Sequence, residues 1–395
     1  MRRPRGPLRG GPAAVVVGLL TLVGPLALAA CSPSDAPPSP TATRPSASGT
    51  PVPLPSPTGT ALDGPDRVEV DVEEVARDLP APWGVAFLSD GSALVTLRDE
   101  ARVVAVDGAG ATTPVTGPGA DQLADWTSPS GEGGLLGVVV LPGATAGTDV
   151  AFYLTAADDN RVVRGRLDGT TLGRLTPVLT GIPKAGNHDG GRLAVGPDGF
   201  LYVTTGDASQ SDHAQDPGSL GGKILRVTPD GQPAPGNPDP ASPVWSLGHR
   251  NVQGLGWASD GRMFASEFGQ NTWDELNLLR PGANYGWPVV EGAGGAEQGF
   301  VDPLVTWATS DASPSGLAVT DEGVYLAGLR GETLWRVPLR PDGVGEPQAL
   351  LRGEHGRLRA VSVAPDGSLW VLTNNTDGRG SPRAGDDRIL RVTVR

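Results

Sequence analysis

An acidic residue followed by glycine recurs along this chain at regular intervals, each time between apolar runs. This constrains the fold more than any other feature. Asp90-Gly91 follows Phe87-Leu88 and precedes Ala93-Leu94-Val95, and Asp198-Gly199 precedes Leu201-Tyr202-Val203. Asp260-Gly261 precedes Met263-Phe264-Ala265, Glu322-Gly323 is a degenerate copy, and Asp366-Gly367 precedes Leu369-Trp370-Val371. Glycine accepts the positive φ of a tight hairpin, so each copy predicts a turn between two strands. Alternation of apolar residues on either side predicts half-buried strands. The steps from Asp198 to Asp260 and from Asp260 to Glu322 are both 62 residues. The longer gap between Asp90 and Asp198 leaves room for one more unit, placed at Leu136–Leu154 with a longer hairpin. About six such units of four strands predict an all-β, six-bladed β-propeller. A β-sandwich of this length would need two domains, and no internal linker is present.

The repeat does not reach the N-terminus. Arg2, Arg3, Arg5 and Arg9 precede an apolar run from Ala13 to Ala30 that Gly18, Gly24 and Pro25 interrupt, the pattern of a secretory signal at residues 1–30. Leu28-Ala29-Ala30-Cys31 resembles a bacterial lipobox, which makes Cys31, the only cysteine, the expected lipidation site. Twenty of the next thirty residues are Pro, Ser or Thr, so 31–65 is expected to be a disordered tether and 66–395 the propeller domain. The protein is then expected to be exported and held by lipid on the outer face of the cell membrane. A single cysteine excludes a disulfide scaffold. The formal charge is −13, or −17 once the four signal arginines are gone, which argues against a nucleic-acid partner.

Four sets of loop residues carry candidate chemistry. His188 lies in Asn187-His188-Asp189-Gly190-Gly191, where a histidine suits general base work and Asn187 and Asp189 are positioned to orient its ring. Gly248-His249-Arg250-Asn251 offers Arg250 and Asn251 for planar recognition of a carboxylate or quinone oxygen, or alternatively for pinning the loop. Ser266–Glu275, with Asn284-Tyr285-Gly286-Trp287, mixes carboxylates with exposed carbonyls, which suits Ca²⁺. Arg330, Arg357 and Arg359 fall at equivalent blade ends, and in an acidic protein they suggest an anionic ligand.

These loops resemble those of the soluble quinoprotein glucose/sorbosone dehydrogenase family. The matching stretches include Leu79-Pro80-Ala81-Pro82-Trp83-Gly84, Gly131-Glu132-Gly133-Gly134-Leu135, and the His188 loop running on to Thr204-Thr205-Gly206-Asp207. They continue with Gly222-Lys223-Ile224-Leu225-Arg226, Arg250-Asn251, Asp274-Glu275-Leu276-Asn277, Asn284-Tyr285-Gly286-Trp287-Pro288 and Pro314-Ser315-Gly316. The resemblance implies a six-bladed propeller that uses pyrroloquinoline quinone (PQQ) and Ca²⁺ to oxidise an aldose to its lactone. It implies His188 as the base for the C1 hydroxyl, with hydride passing to the quinone. Arg250 and Asn251 would contact quinone oxygens, and Arg330, Arg357 and Arg359 the cofactor's carboxylates. The carbonyls of Gly269 and Gln270 would hold the active-site Ca²⁺, and Glu275 with the Tyr285 carbonyl a second one.

The chain departs from the family pattern at several positions. Glu132 stands where glucose-oxidising members carry a cofactor-contacting Gln, Asn187 replaces an acid, Phe268 a polar residue and Gln270 a Pro. Asp311 falls near a position where a hydroxyl touches the cofactor. Extra acids beside an anionic cofactor weaken binding unless they are paired or turned away. Two other readings therefore accompany the dehydrogenase: a non-enzymatic propeller that binds a glycan or protein, and a Ca²⁺-dependent lactonase. The natural electron acceptor is left open.

Overall fold

The computed structural model describes residues 62–143 and 147–395. The expected signal, Cys31 and most of the expected tether lie outside them. Among the described residues, no helix is long and apolar enough to cross a membrane.

Among the described residues, six antiparallel sheets follow one another along the chain, five of four strands and one, blade 2, with a short fifth strand. Blade 1 is Pro82–Phe87, Ala93–Leu97, Arg102–Val106 and Thr112–Pro114. Blades 2 to 6 begin at innermost strands Leu135–Val140, Leu193–Val195, Val252–Trp257, Pro314–Thr320 and Leu358–Val363. Blade 2 is the unit expected at Leu136–Leu154. Blade 6 takes three strands from the C-terminal end and its outermost strand, Val70–Ala76, from the N-terminal end, with Val70 opposite Val394. One helix of blade length, Pro118–Trp126, connects blades 1 and 2.

The Asp-Gly turns share one local geometry. Asp90, Asp198, Asp260 and Asp366 each accept the backbone N–H two residues on through Oδ1, at 2.9–3.1 Å. Each following glycine has φ between 79° and 91°. All of these turns join the first and second strands of a blade. They therefore sit at the end of the propeller opposite the loops that join second to third strands and one blade to the next.

Six apolar clusters each lie between two adjacent blades and close the ring. Tyr202, Ile224, Leu255 and Met263 join blades 3 and 4, and Phe264, Leu276, Val324 and Leu326 join blades 4 and 5. The expectation of half-buried second strands needs correction. Ala93–Leu97, Leu201–Thr204, Met263–Glu267 and Leu369–Thr373 are buried along their whole length. A blade has a neighbour on both faces, so its middle strands have no solvent side. Toward the axis the innermost strands approach so closely that side chains are excluded. A Cβ on Gly84 would lie 2.8 Å from the Leu136 carbonyl oxygen, and one on Gly316 2.7 Å from the Ala360 Cα.

The domain boundary expected at Asp66 falls too late. Gly64 N–H donates to the Leu339 carbonyl (3.0 Å), Arg336 donates to the Pro65 carbonyl (2.8 Å), and Leu62 packs on the cluster between blades 4 and 5. Residues 62–65 are thus part of the folded body.

Candidate active site

The connections at one end of the propeller enclose a cavity of about 370 Å³. Its wall includes Glu132, Asn187, His188, Arg250, Asn251, Gly269, Gln270, Arg330, Arg357 and Arg359, all expected from the sequence. These residues come from five blades or the links between them, so no blade holds the site alone.

His188 is held from both sides of its own peptide. Its N–H donates to Glu132 Oε2 (3.2 Å), and its carbonyl accepts from Ala208 N–H (3.2 Å). The backbone there is left-handed, φ 63°, a conformation that costs a non-glycine residue on the order of 1–2 kcal/mol. A Cβ on Gly206 would overlap the His188 carbonyl, which explains the glycine at that position. The ring is oriented by Asp207, a residue the sequence reading did not single out. Nδ1 lies 2.7 Å from Asp207 Oδ1. Asp207 also accepts from Ser209 N–H (2.8 Å) and from the Trp287 indole N–H (2.8 Å). Burial pushes its pKa up, but the His188 interaction and these two donors outweigh it and hold the carboxyl below its ordinary range. With Nδ1 engaged, Nε2 is left as the acceptor.

The expected orienting residues do other work. Asn187 Oδ1 bonds the Ser209 hydroxyl, and the buried Asp189 carboxylate accepts from Asn160 Nδ2 (2.9 Å) and Ala185 N–H (3.1 Å). Burial raises the pKa of Asp189.

The cavity wall also carries several arginines. Arg250 stacks 5.4 Å from the Trp287 ring centroid, so the indole that donates to Asp207 also supports this guanidinium. Its backbone N–H is taken by Glu267 Oε1. Burial lowers its pKa. Asn251 Oδ1 accepts from Gly190 N–H (3.0 Å), tying the Arg250 loop to the His188 loop. Arg359 is fully buried, its pKa pulled down to about 9 by that burial, and donates to Gln253 Oε1 (2.8 Å). Arg357 donates to Asp377 Oδ2 (2.9 Å). The Nε atoms of Arg250, Arg357 and Arg359 are buried without a hydrogen-bond partner. A cavity lined by Arg250, Arg330, Arg357, Arg359 and Arg379 fits an anionic group.

Glu291 shapes the loop after Phe268. Its Oε1 accepts from the backbone N–H groups of Gln270 (2.7 Å), Asn271 (3.0 Å), Thr272 (2.9 Å) and Trp273 (3.2 Å). Peptide planarity then turns the preceding carbonyls, including those of Gly269 and Gln270, away from Glu291. Oxygen donors at this wall suit a hard cation. Among the described residues no three His, Cys, Asp or Glu side chains converge as a metal set, so a cation here would rely on carbonyls. Asp274 also lines the cavity, and burial pushes its pKa up to about 6.

Glu275 and Tyr285 line an adjoining cavity of about 10 Å³, which shares Arg250, Phe268 and Gly269 with the larger one and has room for one ion or water. Glu275 faces Glu267 across the two strands Met263–Glu267 and Trp273–Leu279. Burial, and next the charge on Glu267, hold the Glu275 carboxyl well above its ordinary range. A buried carboxylate pair beside a void of that size fits a cation.

Two departures from the family pattern find explanations. Glu132 Oε1 pairs with Arg379 Nη1 at 2.9 Å, so its charge is met within the protein. Asp311 does not belong to the site. It is exposed and accepts from the Ser310 hydroxyl (2.8 Å), while Ser313, two residues on, lines the cavity. Gln253, Asp274, Ser313 and Arg379 are cavity residues that the sequence reading missed.

The family model for glucose/sorbosone dehydrogenases matches residues 79–390. The chain is 31% identical over 356 residues to the aldose sugar dehydrogenase YliI of Escherichia coli, covering 80% of this chain and 93% of that protein. The solved structure of the PQQ-bound form of aldose sugar dehydrogenase from Streptomyces coelicolor is 52% identical, with a TM-score of 0.80, and covers 84% of this chain and all of that one. A putative glucose dehydrogenase from Thermus thermophilus is 43% identical with a TM-score of 0.76, over 82% of this chain and all of its own. Because the matched span runs from the first blade into the last strand of the ring, the chain as a whole belongs to the glucose/sorbosone dehydrogenase family.

Proposed function

We propose that this protein is a PQQ- and Ca²⁺-dependent dehydrogenase that oxidises aldose sugars to lactones, with His188 as the general base. The observation that carries this reading is the His188–Asp207 pair, with His188 in a cavity that Arg250, Arg330, Arg357 and Arg359 also line. The arginines fit the carboxylates and quinone oxygens of PQQ. Arg330, Arg357 and Arg359 would hold the former, and Arg250 and Asn251 the latter. Gly269 and Gln270 carbonyls would hold one Ca²⁺, and Glu275 with the Tyr285 carbonyl a second. When bound, PQQ supplies a two-electron acceptor for the hydride leaving C1 of the sugar.

The protein's own part is proton management and positioning. His188 Nε2 accepts the proton of the C1 hydroxyl, and Asp207 stabilises the imidazolium that results. The Trp287 indole and Ser209 N–H keep Asp207 ionised and fixed. Arg250 supplies positive charge on the side where negative charge develops.

The non-enzymatic reading rested partly on Glu132 and Asp311, and those acids are now accounted for by pairing and by position. Export and lipidation at Cys31 belong to the same proposal, with the body anchored to the outer face of the membrane and no nucleic-acid partner. The test is reconstitution with PQQ and Ca²⁺, followed by dye reduction across an aldose panel. Turnover that His188→Ala abolishes, with the fold intact, is expected. Bound cofactor without turnover on any aldose overturns the reading.

A further inference from the structure

Arg379 lies at the cavity rim on the connection of residues 374–388, between the second and third strands of blade 6. It reaches across to the link between blades 1 and 2, where Nη1 meets Glu132 Oε1 at 2.9 Å, 247 residues away in sequence. Glu132 Oε2 in turn takes the backbone N–H of His188. The guanidinium is therefore one carboxylate away from the backbone of His188, and both residues line the same cavity. Arg357 is tied to the buried Asp377, and Arg359 to Gln253 and Ser315. Arg379 differs from both: its backbone N–H donates to Asp377 Oδ1 (2.9 Å), but its side chain is 51% exposed, and among the described residues its guanidinium meets only Glu132 by hydrogen bond or ion pair. Its remaining N–H donors are open to the mouth.

We propose that Arg379 is a substrate-binding residue that donates to sugar hydroxyls away from the reacting carbon, with Glu132 fixing its position. This rests on the dehydrogenase reading above. The partner chemistry follows from charge. Arg379 and Glu132 together are neutral, and the pair offers a fork of donors beside an acceptor. That matches adjacent hydroxyls of a neutral sugar better than a charged substituent. A guanidinium on a rim loop can hold the substrate without entering the proton transfer, so it contributes to binding more than to turnover.

The test uses the full chain loaded with PQQ and Ca²⁺, comparing wild type with Arg379→Ala and Arg379→Lys. Two readouts are needed: steady-state kinetics on an oxidised aldose, and calorimetric binding of a 1-deoxy aldose, which lacks the reacting hydroxyl. Loss of a charge-assisted hydrogen bond predicts that Arg379→Ala raises KM and the 1-deoxy aldose Kd about 10- to 100-fold. PQQ affinity is expected to stay at the wild-type value, kcat to fall far less than KM rises, and Lys to recover part of the loss. Unchanged KM and sugar Kd overturn the proposal. A parallel loss of PQQ affinity also overturns it, by making Arg379 a cofactor ligand. If wild type itself oxidises no aldose, the dehydrogenase reading has failed instead.

Discussion

His188 Nδ1 lies 2.7 Å from Asp207 Oδ1, and the same carboxylate receives the Trp287 indole that supports Arg250. One acid thus couples His188 to the arginine of the adjacent loop, whose carbonyl also accepts the Asp207 N–H (2.8 Å). Asp207→Asn keeps the shape but removes the charge that, in the proposed mechanism, would stabilise a protonated His188. It is expected to lower kcat about 100-fold with little change in KM, and His188→Ala by about 10²- to 10⁴-fold. Steady-state kinetics of the loaded variants measure both.

Gly206 is the close-packed partner of the base. An added methyl group would overlap the His188 carbonyl, so Gly206→Ala must displace the His188 loop. Overpacking of this kind is expected to lower Tm by about 5 °C and to lose most turnover. Thermal unfolding and kinetics on the same sample check it.

Arg359 and Asp311 make a paired control for cofactor binding. Arg359 is buried against the cavity with its Nε unpartnered, whereas Asp311 is exposed outside it. Arg359→Met is expected to weaken PQQ binding about 10- to 100-fold, and Asp311→Asn to leave it within about twofold of wild type. Absorbance titration of the apo-protein gives both constants.

Glu275 predicts a proton released on Ca²⁺ binding. Burial and Glu267 raise its pKa in the metal-free protein, so near neutral pH the carboxyl retains a proton that a bound cation displaces. Affinity for Ca²⁺ should rise with pH. Calorimetry in buffers of different ionisation enthalpy should show that release at pH 7, and Glu275→Gln should remove it.

Glu291 predicts an acid-sensitive loop. Its burial raises the pKa, but the four backbone donors outweigh that and lower it below the ordinary value. A carboxyl with a depressed folded-state pKa stabilises the fold above its unfolded pKa of about 4 and loses that contribution as pH falls through the folded value. Glu291→Gln should lower Tm at pH 7 and flatten the decline of Tm below about pH 4. A pH series of melting curves on both proteins measures this.

The repeat was legible because each Asp-Gly turn is closed by atoms only two or three residues apart. The full burial of middle strands was not, because it comes from neighbouring blades rather than from the strand's own pattern. The site loops were legible through their unusual residues and family resemblance. Asp207 was passed over because Asn187 and Asp189 are nearer to His188 in sequence, although the fold of blade 3 brings the Asp207 loop beneath it. Its one signal was its place in the Thr204-Thr205-Gly206-Asp207 stretch. Arg379 sits among glycines, arginines and aspartates that read as ordinary surface. Only the ring brings it to Glu132. Asp311 stands two residues before Ser313, the hydroxyl of that loop that lines the cavity, and only the folded loop distinguishes the two.

Val70–Ala76 completes the blade that the C-terminal strands begin. The ring therefore stays open until Ile389–Val394 is available to pair with Val70–Ala76, and the cavity, built from widely separated blades, takes its final shape only then. A chain halted during synthesis or clipped near its C-terminus would retain most of its strands yet lack a finished site.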